Sequence, residues 1–183
     1  AEGTNLGLVF LWAPVAWALV GYFLTLWRNL RGGEGDGRDC LLLAAVLSVL
    51  MVVACVLAPA TPPKETAAGI PIVAALGKLG QPDFLIFILA SVVVGGLMQF
   101  YFLGSARFMT DMGIAGKNVP ATMGIAQAAQ AVATFFLLDR FVADLGFKWT
   151  LAIGAGFWVL LYAVYTATKP RWLIVLSQMF HGL

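Results

Sequence analysis

Two side-chain amides three residues apart, Gln127 and Gln130, stand in the apolar run from Met123 to Arg140, MGIAQAAQAVATFFLLDR. On a helix this spacing brings both amides to one side with Gly124, Ala131 and Thr134, while Phe135, Phe136 and Leu137 fill the others. An amide donates and accepts at once, so such a pair suits the edge of a base or a sugar hydroxyl. Buried without a partner, each amide costs about 1 to 3 kcal/mol, so these two require a protein partner, water or a ligand. The plainer alternative is interhelical hydrogen bonding, worth about 0.6 and rarely above about 1.7 kcal/mol per bond in a membrane.

Three further constellations bear chemistry. Gln99 recurs with Ser91 and Gly95 every four residues along another apolar run, which puts the three on one helix face. His181 is the single histidine and the one candidate proton relay, with packing as the competing role. Asp139, Arg140 and Lys148 form a candidate gating loop, or else a solvated helix end. No catalytic residue is assigned: there is no Gly-rich phosphate loop and no Ser, His and acid set at one depth. Cys40 and Cys55 are fifteen residues apart with no CxxC spacing, so neither a metal site nor a cofactor is expected. The acids nearest to apolar runs, Asp83, Asp111 and Asp139, fall at their ends, leaving no carboxylate at the centre of a run to carry a coupling proton.

The elements that position these groups must lie in lipid. Hydrophobic residues make up 61% of the chain and charged ones 11%, too few to clothe a soluble surface that takes roughly a quarter. The expected fold is all-α, a polytopic transmembrane helix bundle in which each crossing takes about 20 apolar residues. A net charge of +2 spread over the loops excludes a nucleic-acid partner. The partners left are the lipid bilayer and a small-molecule solute.

Five spans and a partial sixth are predicted. The first, Leu6 to Trp27, is kinked by Pro14 and closed by Trp27 and Arg28 as an interfacial pair. A glycine-rich charged hairpin leads to Cys40 to Ala60, ended by Pro59, Pro62 and Pro63. The connection 61–83 holds a short amphipathic piece from Ile70 to Leu79 and marks the domain boundary between residues 1–60 and 84–183. Phe84 to Ala106 is the third span. A loop from Arg107 to Lys117 leads to the N-cap Asn118, and Pro120 opens the glutamine span, which runs to Leu138 with Gly124, Ala128, Ala129 and Ala133 for close contact. The segment FVADLGFK then reads as a loop before Trp149 to Thr168, and Trp172 to Leu183 begins a sixth span that carries Gln178 and His181. The chain opens on Ala1 with no positive n-region and stops within an apolar run, so it is expected to be an internal fragment of a longer protein.

Four patches carry a resemblance: LAPATPP after the second span, GLMQFY in the third, MGIAQAAQ with LGFKW around the fourth, and LSQMFHG in the sixth. They resemble the nucleoside:proton symporters of the major facilitator superfamily, over nearly the whole chain, from the fifth to part of the tenth helix. The resemblance implies a multi-pass protein of the cell (inner or plasma) membrane that moves a nucleoside by alternating access, with protons as coupling ion. It makes Gln99 and Gln127 substrate-contacting residues of the seventh and eighth helices, and Asp139, Arg140, Gly146 and Lys148 a worn copy of the superfamily's acidic-basic loop. Gln130 stands where the family usually has Glu, Phe10 and Pro14 where it has Arg and Thr around the retained Trp12, and Leu161 where Arg is frequent. A non-transport helical membrane scaffold, or a major-facilitator transporter of another substrate, is the alternative.

Sidedness is read two ways. Arg28, Arg31, Arg38, Arg107, Lys117, Lys169 and Arg171 fall on one side and Lys64, Lys78, Arg140 and Lys148 on the other, so the positive-inside count favours the first set as cytoplasmic. The resemblance implies the reverse.

Overall fold

Glycine and proline decide where the helices of this chain stop. The computed structural model describes residues 6–35, 37–60 and 71–183, and among these every regular element is helical. In chain order they are α1 (Leu6–Phe10), α2 (Trp12–Arg31), α3 (Arg38–Leu57), α4 (Pro71–Gly77), α5 (Pro82–Asp111), α6 (Val119–Phe136), α7 (Leu138–Ala167) and α8 (Arg171–Gly182). Most of the first half of the expected connection, residues 61–70 with Lys64, Pro62 and Pro63, lies outside the described residues.

The break between α1 and α2 falls at Leu11, just ahead of Pro14, whose ring cannot sit beside the carbonyl four residues earlier and whose nitrogen has no hydrogen to give it. At the other end of α2, Gly32 takes the left-handed conformation (φ 71°, ψ 18°) and donates its N–H to the Arg28 carbonyl, the usual way a helix is closed.

Among the described residues four helices are long and apolar enough to cross a membrane: Leu8–Arg31, Arg38–Leu57, Pro82–Asp111 and Leu138–Ala167. This is a multi-pass membrane protein with an all-helical fold. The expected fourth span, α6, is a helix of 18 residues but is not in that set, since its two glutamines dilute an otherwise apolar sequence. α5 runs on to Asp111, so the expected loop from Arg107 begins a turn later. The segment after Asp139 is helical as well: α7 starts at Leu138 and is broken only at Gly146 (φ 74°, ψ 167°), a backbone shape that needs glycine.

The chain divides into two compact units, residues 1–41 with 106–183, and residues 42–105. The second contains most of α3, α4 and most of α5, and its long helices turn apolar side chains such as Leu50, Val53, Val92 and Val93 outward. In the first unit α6 is central: it packs along α2 on one side and α8 on another, and α7 closes against α8.

Candidate functional site

The α2–α6 seam is built from small residues. Pro14, Ala18, Gly21, Leu24 and Arg28, spaced four, three, three and four apart, are the buried stripe of α2. A Cβ on Gly21 would stand 2.5 Å from the Pro120 carbonyl oxygen, so the backbones touch there only because it is glycine. One turn on, Gly124 faces the backbone of Ala18 and the ring of Tyr22. Pro120 occupies the first turn of α6 as expected, and the Ala121 N–H beside it, which has no partner inside the helix, donates to Thr25 Oγ1 at 3.0 Å. Asn118 flanks this helix but makes no side-chain cap, contrary to the sequence reading: its backbone lies in the helical region (φ −95°, ψ −12°). Its carbonyl instead accepts from Thr122 Oγ1, and its Oδ1 from Asn29 Nδ2 at 3.4 Å.

Gln127 and Gln130 sit in the middle of this helix and differ. Gln127 is 5% exposed, and among the described residues its amide has no hydrogen-bond partner. Gln130 is exposed. Their turn is the one α8 reaches: a Cβ on Gly182 would overlap the Ala126 carbonyl oxygen and come within 2.7 Å of the Gln130 nitrogen. α8 brings a different glutamine inward. Gln178 is fully buried, and its Nε2 donates to Tyr165 Oη at 2.7 Å and to the Ile174 carbonyl at 3.0 Å. Around it runs a line of rings, Phe108 stacked on Tyr165 at 4.5 Å, Tyr165 edge-on to Tyr162, and Trp158 between Tyr162 and His181. His181, half-buried, meets the edge of Trp158 at 4.7 Å between centroids. Leu161, where the resemblance has Arg, is completely buried.

The other expected site residues lie elsewhere. Gln99, with Ser91 and Gly95, is on an exposed stretch of α5 in the second unit, where Ser91 Oγ bonds back to the Phe87 carbonyl. Asp139 and Arg140 are exposed in the first turn of α7, and Lys148 is exposed with its ammonium 5.9 Å from the Trp149 ring centre. Among the described residues no ion pair joins these three.

The sequence reading missed the most connected polar residue. Arg31, not Arg28, lies over the Trp27 ring, at 4.1 Å. Arg28 is only 8% exposed and forms a two-pronged ion pair with Asp39, at 2.6 and 2.9 Å, while its Nη1 donates to the Gly116 carbonyl at 3.3 Å. Its place on the stripe 14, 18, 21, 24, 28 was the available signal that it points inward.

No curated protein sequence and no solved structure gives a significant match to this chain. The family model described as "Nucleoside H+ symporter" matches residues 3–183, which takes in every helix described above, and the chain therefore belongs to the nucleoside H+ symporter family.

Proposed function

We propose that this chain is part of a secondary active transporter that carries a nucleoside together with protons across the cell membrane by alternating access, and that Gln127 and Gln130 contact the nucleoside. The observation that carries this reading is Gln127, a buried side chain of the central helix whose amide makes no hydrogen bond among the described residues and keeps some access to solvent. A glutamine that holds helices together would be bonded, as Gln178 is to Tyr165. An unbonded amide that stays accessible on an otherwise buried side chain is open to a polar ligand. Because Gln130 replaces an acid, recognition on α6 works by neutral hydrogen bonds, which suits the base and sugar of a nucleoside better than an ion. Under this reading α1 to α3 close an N-terminal helix bundle (residues 1–60), residues 61–83 form the central connection, and α5 to α8 open the C-terminal bundle (84–183). Asp139, Arg140 and Lys148, on the helical turns either side of Gly146, are its candidate gating group and His181 its candidate proton relay.

The test is uptake of radiolabelled purine and pyrimidine nucleosides by the complete protein in proteoliposomes, with and without an inward proton gradient. Saturable uptake that the gradient stimulates, with free sugars failing to compete, is the expected result. Absence of uptake for every nucleoside at either pH difference overturns the substrate assignment.

A further inference from the structure

The Arg28 cluster joins two segments far apart in sequence by bonds of two kinds. Within the α2–α3 hairpin the bonds are short: Arg28 to both Asp39 oxygens at 2.6 and 2.9 Å and to Cys40 Sγ at 3.1 Å. Across to residues 116–118, which lead into α6, they are long: Arg28 Nη1 to the Gly116 carbonyl at 3.3 Å, the Lys117 N–H to Glu34 Oε2 at 3.3 Å, and Asn29 Nδ2 to Asn118 Oδ1 at 3.4 Å. Long hydrogen bonds near the geometric limit are the weaker ones. Parting the two segments therefore keeps the Arg28–Asp39 pair intact, and the one carboxylate it releases, Glu34, is already exposed to water.

We propose that the hairpin residues Arg28, Asn29 and Glu34 form a latch on residues 116–118 that closes this end of the α2–α6 seam and opens during transport, Asp39 travelling with Arg28 as a preassembled pair. The seam beyond the latch supports this. Its contacts, Gly21 on Pro120 and Gly124 on Ala18, are backbone approaches between small residues, about which two helices can tilt without disengaging long side chains. All the polar crossings named above, with Thr25 to Ala121 a turn deeper, gather at one end. Arg171 at the start of α8 is at that end too, its guanidinium against Gly113, so the latch closes where three connections meet.

The role in transport rests on the transporter reading given above, whereas opening of the latch does not, and the experiment separates them. In the complete protein carrying Cys40→Ser and Cys55→Ser, a reporter Ala121→Cys is labelled with a membrane-impermeant maleimide in vesicles of both orientations. Asn29→Ala with Glu34→Gln is expected to raise the labelling rate about tenfold, while Arg107→Ala, which removes the exposed Arg107–Asp111 pair, leaves it unchanged. Equal labelling in the latch variant and its parent overturns the proposal. In a second arm, Asn29→Cys and Asn118→Cys are joined by a short bifunctional methanethiosulfonate. Uptake is expected to fall at least tenfold and to return on reduction with dithiothreitol, which also shows that the joined protein was folded. Full uptake while joined overturns the role in transport. Responsive labelling with no nucleoside uptake before joining counts against the nucleoside reading and leaves the latch standing.

Discussion

Thr25 on α2 accepts the Ala121 N–H of α6 at 3.0 Å, so one helix supplies the cap that the other lacks. Pro120 brings no donor and Asn118 does not cap, which leaves this amide dependent on its neighbour. Thr25→Val keeps the shape and removes the acceptor, and a buried donor left unbonded costs about 1 to 3 kcal/mol. Thermal unfolding in detergent should show a lower midpoint for Thr25→Val and a near-native one for Thr25→Ser. Equal midpoints for both would mean that water replaces the hydroxyl.

The glycines divide into two classes by what surrounds them. Gly21 and Gly182 have a carbonyl where a Cβ would go, and overpacking at such a contact costs about 1 to 3 kcal/mol or more. Gly95 and Gly96 have nothing within 4 Å, so alanine there should stabilise α5 by about 0.5 to 1 kcal/mol through helix propensity alone. Opposite signs for Gly21→Ala and Gly95→Ala in the same unfolding assay are the expected outcome.

Two ion pairs make a parallel contrast. Arg28–Asp39 is largely enclosed, with side-chain exposures of 9% and 17%, whereas Arg107–Asp111 stands at 82% and 55%. The Arg28–Asp39 pair is part-buried, so removing one member costs less than in a fully buried pair, about 3 to 5 kcal/mol, but more than in an exposed one, about 0 to 1 kcal/mol. Arg28→Met should therefore unfold the protein far more readily than Arg107→Met, and Arg28→Met with Asp39→Leu should recover part of the loss. A double variant no better than Arg28→Met would mean that the bond to Gly116, not the charge pair, holds the arginine's place.

Much of this was legible before the structure. Small residues on the glutamine run foretold a helix that others approach closely, and Gly124 against Ala18 is that approach. Pro14 foretold a kink near the break between α1 and α2, and the glycine-rich hairpin foretold the end of α2, which runs past Trp27 to Arg31. What was not legible depends on which neighbour a residue meets. Gln127 and Gln178 look alike in sequence, each an amide in an apolar run, yet one is unbonded and the other tied to Tyr165. The charged segment after Leu138 looks like a loop because charge marks loops, but a short helix before Gly146 carries those charges on its exposed surface. The Arg28–Asp39 pair was not legible because nothing in the sequence names Asp39 as the partner, although the stripe that Arg28 shares with Leu24 and Gly21 points inward.

The difference between the two glutamines supplies the sharpest test of the site. Gln178 spends its amide on Tyr165 and the Ile174 carbonyl, so Gln178→Leu leaves the tyrosine hydroxyl without that donor and should lower the unfolding midpoint. Gln127 has no such bond among the described residues, so Gln127→Leu should leave the midpoint unchanged or raise it, since no bond is lost and a mostly buried side chain becomes apolar. If that amide holds the nucleoside, the same variant should weaken binding or uptake by tenfold or more, the equivalent of about 1.4 kcal/mol. Stability and transport thus move apart at Gln127, whereas at Gln178 stability falls first. A Gln127→Leu protein that loses stability and transports normally would make the residue helix packing and remove it from the site.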